Sequence, residues 1–183
     1  MMQEKEEELV ARLQDEQTRR RAFSQLVALY QERLYWHIRK MVLVHEDADD
    51  VLQNTFLKAW RSLDTFRGDS KLSTWLYRIA INESITFLNK RRAESDFASD
   101  EEASFLLAGL QADQYFDGDE LQLMLQEAIL TLPDKQRQVF NMRYFDEMKY
   151  EEMSEILGTS VGALKASYHI ASKKIEEFFN ERE

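Results

Sequence analysis

The 183-residue chain contains no cysteine, one proline and five glycines. The absence of cysteine excludes disulfide bonds, thiolate metal sites and a cysteine nucleophile. Only three histidines are present and they are scattered, so we expect no metal and no cofactor. Few helix breakers, together with 32% charged residues, favour helix over sheet. The composition therefore predicts an all-α protein.

Long apolar stretches are also missing. A membrane span needs about eighteen or more consecutive apolar residues, and a secretory leader needs a basic and then an apolar segment at the start of the chain. Neither pattern occurs. We therefore expect no membrane insertion and a cytoplasmic location.

The net charge of −10 is unusual for a protein that binds nucleic acid, since phosphates are bound by Lys and Arg. The charges are unevenly distributed, however. Residues 1–92 carry 16 basic and 14 acidic side chains, residues 93–120 carry 0 and 9, and residues 121–183 carry 8 and 11. Because the acidic excess lies mainly in the middle segment, either flanking segment can present a local basic face.

The middle segment, 93–120, has the composition of a solvated linker. It predicts two small helical domains, 1–92 and 121–183, joined by an acidic linker. Apolar residues interrupt the segment and leave room for a short helix or a docking peptide within it: Phe97, Phe105, Leu106, Leu107, Leu110, Tyr115 and Phe116. Hydrophobic periodicity predicts helices at 4–14, 18–43, 46–63, 73–91, 119–131, 134–145, 149–157 and 161–180.

The predicted helix 46–63 has the most regular pattern. Its apolar stripe, with steps of three and four residues, is expected to pack inward: Ala48, Val51, Leu52, Thr55, Phe56, Ala59, Trp60 and Leu63. The opposite face carries acids, amides and the apolar Leu57, which suits a partner surface. The alternative is an ordinary solvated face with one exposed leucine.

Aromatic, amide and basic residues gather around the next loop and helix. Gly68 and Asp69 predict the loop, Ser73 is expected to cap the helix, and the helix ends in the basic run 90–92. Such a mixture suits single-stranded DNA, because aromatic rings stack on unpaired bases and cations bind phosphates. The alternative is ordinary packing, with Phe66 and Trp75 in the core and the basic run complementing the helix dipole.

A helix-turn-helix pattern occupies the last block. A short helix ends before Gly158 and Thr159, Ser160 is a capping residue, and a longer helix follows from Val161. Periodicity leaves Lys165 and Lys173, beside small residues, on the outer face of this second helix. A helical hairpin that binds nothing is the alternative.

Two separate motifs resemble the bacterial sigma-70 family. Region four is matched by Leu132-Pro-Asp-Lys-Gln-Arg-Gln-Val-Phe, Arg143-Tyr-Phe, Tyr150-Glu-Glu-Met-Ser-Glu-Ile-Leu-Gly and Ser160-Val-Gly-Ala-Leu-Lys. Region two is matched by Asp47-Ala-Asp-Asp-Val-Leu-Gln-Asn-Thr-Phe-Leu-Lys-Ala-Trp, Phe66 and Ser73-Thr-Trp-Leu-Tyr-Arg-Ile-Ala-Ile-Asn. Both occur in the family's order, and the short length is similar to the extracytoplasmic function group.

The resemblance implies three sets of site residues. The positions that meet the clamp coiled coil of the polymerase largest subunit are Asp50, Gln53, Asn54 and Leu57. Those that open the minus-ten element and hold unstacked non-template bases are Phe66, Lys71, Ser73, Trp75, Arg78 and Asn82. Those that enter the major groove of the minus-thirty-five element are Lys165, Ser167, His169 and Lys173.

Three positions depart from the family's usual residues. Asn54 stands where Glu is frequent and keeps a hydrogen-bonding side chain. Ala163 stands where Thr is frequent, and Ser167 stands where Arg is frequent. These two changes remove a hydroxyl and a bidentate guanine reader, so upstream sequence specificity cannot be copied from relatives.

The expected function is that of a transcription initiation sigma factor without catalytic residues of its own. Core RNA polymerase and promoter DNA are the implied partners, and an anti-sigma factor is common in the resembled group. Two alternatives remain. One is a regulator that uses only the terminal helix-turn-helix, and the other is a helical adaptor that binds only proteins, which would fit the acidic net charge.

Overall fold

The computed structural model describes residues 2–94, 99–112 and 118–182. All regular structure in these ranges is helical. The helices are α1 (Met2–Gln14), α2 (Arg19–Val42), α3 (His45–Arg61), α4 (Leu72–Glu94), α5 (Ser99–Ala112), α6 (Glu120–Leu130), α7 (Asp134–Tyr144), α8 (Tyr150–Leu157) and α9 (Val161–Asn180), with a 3-10 turn at Leu63–Thr65.

Helices α1 to α4 form a bundle around one apolar core. Residues spaced by three and four along each helix fall on one face and are buried there. The largest fully buried ones are Leu13, Leu26, Leu34, Ile38, Met41, Leu72, Leu76, Tyr77 and Leu88. In the predicted inward stripe of α3, Leu52 and Phe56 are partly buried and Trp60 is exposed, with its ring edge-on to that of Phe23 at 5.0 Å. The other members of the stripe are buried: Ala48, Val51, Thr55, Ala59 and Leu63.

The start of α4 differs from the sequence expectation. Ser73 is not its cap, because the helix begins one residue earlier, at Leu72. The backbone N–H of Leu72 donates to the carboxylate of Glu6, 2.7 Å away on α1. A negative charge at a helix N-terminus satisfies an otherwise unpaired N–H and complements the helix dipole. The capping group therefore comes from a distant part of the chain.

The acidic segment 93–120 contains helix α5, which is the short helix that its apolar residues allowed. Leu106 and Leu110, four residues apart, are buried, whereas Phe105 is exposed. Phe97, Tyr115 and Phe116, also named above, lie outside the described residues. The segment is thus partly an ordered helix with a buried side.

Helices α6 to α9 form the predicted helix-turn-helix block. Asp119 caps α6 by accepting from the N–H of Gln122 at 2.8 Å. Gly158 closes α8 in the left-handed conformation, with φ of 66°, which glycine adopts without steric cost. Ser160 then accepts from the N–H of Ala163 at 3.2 Å and begins α9. A separate apolar cluster holds this block together: Ala128, Ile129, Leu132, Phe140, Ala171 and Ile175.

The two helical blocks pack directly against each other. Apolar residues of the second block share the core of the first: Val139, Met142, Met148, Met153, Ile156 and Leu164. Helix α8 lies against α4, and α7 lies against α2. This contact between blocks, called the seam below, was not expected from the sequence. Within the described ranges, no helix combines the length and the apolar character that crossing a membrane requires.

Candidate polymerase and nucleic-acid interfaces

The outer face of α3 carries the four residues predicted to bind polymerase. Asp50, Gln53 and Asn54 are exposed, and Leu57 is 52% exposed. Their position follows from the buried stripe on the opposite side of the same helix, which fixes the rotation of α3 on the bundle. The structure therefore brings all four together on one accessible face.

Three of these residues line a groove of about 1020 Å³ between α3 and α4. Its other wall includes Phe87 and Lys90, which the sequence argument did not assign to this face. Arg91, also on this wall, bonds to Asp47 of α3. Burial raises the pKa of Asp47 even though the Arg91 charge opposes it. The groove thus joins amide, acidic, basic and apolar groups.

The aromatic residues predicted to bind single-stranded DNA, Phe66 and Trp75, lie around the N-terminal end of α4, which is called the base of α4. Phe66 is only 6% exposed, and its ring centroid is 4.9 Å from that of Trp75. Trp75 and Ser73 are partly buried, whereas Asn82 is exposed. Phe66 is therefore packed in the core in this conformation, which agrees with the alternative of ordinary packing. Its contact with DNA stays a prediction.

Two cations of the same predicted site contact the second block. The Arg78 guanidinium donates to the backbone carbonyl of Glu155 at 2.5 Å and to that of Ile156 at 3.4 Å. These carbonyls belong to the last turn of α8, where the negative end of the helix dipole attracts a cation. The Lys71 ammonium lies 4.0 Å from the Glu152 carboxylate on the same helix.

A third cation, Arg92 in the last turn of α4, joins three helices. It forms a bidentate ion pair with Asp134 at the start of α7, with one bond of 2.9 Å, and it lies 3.3 Å from Glu102 of α5. The hydrogen bonds from Arg92 lower the pKa of Asp134, and those to Asp134 raise the pKa of Arg92. Paired, planar contacts of this kind fix geometry as well as charge.

Asp146, which follows the C-terminal end of α7, forms a second polar contact between the two blocks, in this case with α2. The Nδ1 of His37 lies 2.6 Å from one carboxylate oxygen, and the Lys40 ammonium lies 3.2 Å from the other. His37 is fully buried, with its ring edge-on to Tyr77. Burial alone would raise the pKa of Asp146, but the hydrogen bond and charge of His37 and the charge of Lys40 hold this pKa below its ordinary value.

Helix α9 presents the predicted recognition face to solvent. Lys165, His169 and Lys173 are exposed and Ser167 is partly buried, while Leu164, Ala171 and Ile175 face the core. The Lys165 ammonium lies 5.7 Å from the centre of the Tyr150 ring. Exposed Gly162 and Ala166 lie on the same helix. Small residues beside basic ones permit a close approach to the DNA backbone and bases.

Comparison with known proteins assigns both blocks to one family. Residues 26–94 match Sigma-70 region 2, and residues 122–175 match Sigma-70 region 4. The chain belongs to the extracytoplasmic function (ECF) group of the sigma-70 family. It is a transcription initiation sigma factor.

Curated relatives and solved structures support the assignment. The RNA polymerase sigma-H factor of Pseudomonas aeruginosa is 31% identical, over 97% of this chain and 95% of that protein. The ECF RNA polymerase sigma factor SigW of Bacillus subtilis is 34% identical, over 81% and 83%. The structure of CnrH in complex with the cytosolic domain of CnrY has a TM-score of 0.72 and 26% identity, covering 97% of this chain and 99% of CnrH.

In this sigma factor, the seam lies between region 2 and region 4. Its side chains include Arg92, Asp134, His37, Lys40 and Asp146. The sequence marks Arg92 only as part of the basic run 90–92, and it marks none of the other four as a site residue. No local pattern marks them, because each meets its partner only after the two regions pack together. No cluster of three or more potential metal ligands occurs in the described part of this sigma factor.

Proposed function

We propose that this sigma factor uses three surfaces in sequence. The α3 face binds core RNA polymerase through Asp50, Gln53, Asn54 and Leu57. The α4 base captures the minus-ten element, and the α9 face binds the minus-thirty-five element. The observation that carries the proposal is that one chain combines an exposed α3 face with an exposed recognition helix, on the two segments that match family regions.

The support for polymerase docking is an exposed leucine within a polar surface. Leu57 is solvent-accessible in the free chain, although most leucines of the bundle are buried. Burying such a side chain in a partner's pocket is favourable, and the surrounding amides and Asp50 supply directional hydrogen bonds. The groove beside Gln53 and Asn54 gives a partner helix space to approach.

The support for minus-ten binding is the combination of ring and cation at the base of α4. Trp75 is partly accessible, Lys71 and Arg78 are exposed, and Asn82 adds an amide on the same helix. An unpaired base would be held by stacking and by contacts to its edges, while the cations bind phosphates. Lys71, Ser73, Arg78 and Asn82 are the polar part of this proposed set, and Phe66 and Trp75 are the aromatic part.

The support for minus-thirty-five binding is the geometry of α8 and α9. A helix-turn-helix places the second helix in the major groove, and here that helix exposes Lys165, His169 and Lys173 beside partly buried Ser167. The departures at Ala163 and Ser167 leave few bidentate base readers, so phosphate contacts are expected to dominate its affinity.

The domain limits proposed from the sequence are 1–92 for region 2, 93–120 for the acidic linker and 121–183 for region 4. The sigma factor itself catalyses no reaction and acts in the cytoplasm. It directs polymerase to promoters and promotes melting of the promoter DNA. Solved relatives are complexes of CnrH with the cytosolic domain of CnrY and of RpoE with the anti-sigma factor NepR. An anti-sigma factor is a proposed partner of this chain too.

Run-off transcription with purified core polymerase tests the proposal. Transcript start mapping after overexpression first supplies promoters with shared upstream elements. Addition of this chain should then produce transcripts from those promoters and none from templates in which the minus-ten element is scrambled. A chain that bound those promoters alone, and gave no transcripts with core polymerase, would instead be a helix-turn-helix regulator.

A further inference from the structure

A large apolar side chain is exposed on the helix that is proposed to enter the major groove. Ile170 lies in the third turn of α9 and is 46% exposed. The opposite side of α9 is buried through Leu164, Ala171 and Ile175, which fixes the rotation of the helix and leaves Ile170 on its outer face. A single exposed apolar residue is ordinary on a protein surface, so its surroundings decide whether it has a function.

The residues around Ile170 allow a close approach to DNA. Ala163 and Ala166 precede it by seven and four residues, which places them on the same side of the helix, and both are exposed. Lys173 follows by three residues and is also exposed. The alanines leave room for base edges near the helix, and the lysine carries the charge that phosphates attract. Ile170 therefore projects from a surface that suits the floor of a DNA groove.

The first three turns of α9 expose few groups that can form hydrogen bonds to a base edge. The exposed positions there are Gly162, Ala163, Lys165, Ala166, His169 and Ile170. Among the groups that base pairs present in the major groove, the apolar one is the 5-methyl group of thymine. The side chain of Ile170 matches that methyl group and cannot bond to the donors and acceptors around it.

Isoleucine is also suited to a fixed contact. Its β-branched side chain has one strongly preferred χ1 rotamer in a helix, so little side-chain freedom is lost when Ile170 becomes buried against a partner. Its helix propensity is lower than that of alanine, so helix formation alone does not favour isoleucine at this exposed position. Contact with a methyl group would remove apolar surface of both partners from water.

We propose that Ile170 is a specificity-determining residue that packs against the 5-methyl group of a thymine in the minus-thirty-five element. The inference rests on the proposed function, because it needs α9 to lie in the major groove. Lys165 and Lys173 then contribute affinity through phosphates, which carry no sequence information, whereas Ile170 distinguishes thymine from the other bases at one position.

The promoters themselves provide the first check. Those found by transcript start mapping after overexpression should share an A·T pair at one position of the minus-thirty-five element. Upstream elements that share only G·C pairs would overturn the inference, because they present no thymine methyl group.

Replacement of thymine by deoxyuridine tests the contact directly, because it removes the 5-methyl group and keeps the base-pairing groups. Each thymine of the minus-thirty-five element, on either strand, is replaced singly in a labelled duplex promoter, and each duplex is titrated with holoenzyme at fixed salt. Wild-type holoenzyme should lose about fourfold in affinity at one thymine, the factor expected when one carbon less is buried. Equal affinity for every substituted duplex would contradict the proposal.

The variant Ile170→Ala identifies the side chain that makes the contact. Holoenzyme with this variant should bind the unmodified promoter at least about fourfold more weakly and should not distinguish thymine from deoxyuridine. Helical circular dichroism should not change, because Ile170 is exposed and alanine is favourable in helices. If Ile170→Ala loses as much affinity on deoxyuridine as the wild-type chain does, the DNA alone explains the effect and the inference is wrong.

Two further variants sharpen the assignment. Ile170→Val keeps a β-branched apolar side chain and should retain part of the sensitivity to deoxyuridine. The matched control is Leu121→Ala, which shortens another exposed apolar side chain, at the start of α6. It should keep the full wild-type sensitivity, and loss of sensitivity in this control as well would contradict the assignment to Ile170.

A promoter with a scrambled minus-thirty-five element separates this inference from the proposed function. If scrambling weakens binding of wild-type holoenzyme and no deoxyuridine substitution does, only the role of Ile170 is wrong. If scrambling has no effect, α9 does not bind the upstream element, and that part of the proposed function fails together with the inference.

Discussion

The two surfaces proposed to bind DNA meet different surroundings in the free chain. On α9 the basic residues Lys165 and Lys173 face solvent. On α4, Lys71, Arg78 and Arg92 face carboxylates and carbonyls of region 4 and of the linker helix. The polymerase face on α3 resembles α9 in this respect, because Leu57 and its neighbours are exposed.

The difference is one of local partners and not of exposure, because Lys71 and Arg78 are also exposed. A DNA phosphate at Arg78 would have to compete with two carbonyls of α8, and one at Lys71 would have to compete with the Glu152 carboxylate. Acidic groups of the linker and of region 4 lie beside the basic groups of α4 and contribute to the net charge of −10.

The largest effect is expected at the open α3 face. Leu57→Asp should weaken core polymerase binding by at least about 2 kcal/mol, roughly thirtyfold in Kd, because a charge replaces a side chain that becomes desolvated on docking. Helical circular dichroism should not change, since Leu57 is exposed in the free chain. Gln53→Ala should give a smaller loss.

The matched control for Leu57 is Leu29→Asp, which places the same charge at another exposed leucine of region 2. Titration of core polymerase with each labelled variant measures both affinities. Equal losses for the two leucines would show that α3 is not the docking face.

At the α4 surface, the expected effect is largest in holoenzyme on duplex DNA. Arg78→Ala should slow open-complex formation by about tenfold, the scale of one lost contact to an unpaired nucleotide. Permanganate footprinting follows opening, and Arg20→Ala, an exposed arginine on α2, is the control. On a template already unpaired at the minus-ten region the defect should be much smaller, whereas equal defects on both templates would argue against a role in melting.

At the open α9 face, a smaller effect is expected from a single phosphate contact. Lys165→Ala should weaken holoenzyme binding to duplex promoters by about threefold and reduce the slope of log K against log salt by about 0.9. The control is Lys174→Ala on the same helix, whose ammonium donates to Gln136 at 3.0 Å. A slope that changes equally in both variants would not support groove contact by Lys165.

The smallest effect is the pH dependence of the seam. The lowered pKa of Asp146 stabilises the folded chain above the ordinary carboxyl value of about 4, and this contribution is lost as pH falls through the lowered pKa. The contribution is measured by urea unfolding of the wild-type and Asp146→Asn chains at a series of pH values between about 3 and 6. The free energy of unfolding of each chain is then compared as a function of pH. The variant should lose less stability on acidification, and identical profiles would contradict the assignment.

Local signals predicted much of the fold. The helix-turn-helix could be located because Gly158, Ser160 and the apolar spacing of α9 each act within a few residues of one another. The rotation of α3, and with it the exposure of Leu57, followed from periodicity in the same way. Such features depend on backbone preferences and on one buried face, both of which the sequence displays directly.

Nonlocal contacts could not be predicted in this way. The cap of α4 comes from Glu6, 66 positions away, so the local candidate Ser73 was wrong. For segment 93–120 the sequence predicts a linker with room for a short helix or a docking peptide, because its acidic composition outweighs the spacing of Leu106 and Leu110. These two leucines become buried only when α5 packs on other parts of the chain. The pairing of Asp146 with His37, across 109 positions, exists only once α7 packs on α2.

The most direct test of the account is the distance between region 2 and region 4, measured with and without core polymerase. The chain lacks cysteine, so Ser24→Cys on α2 and Asn180→Cys on α9 can be spin-labelled specifically, and both positions are exposed. Pulsed electron paramagnetic resonance should give one short, narrow distance distribution for the free chain and a longer one in holoenzyme. The same short distance in both states would contradict the proposed function, in which the two regions bind separate promoter elements at the same time on the polymerase.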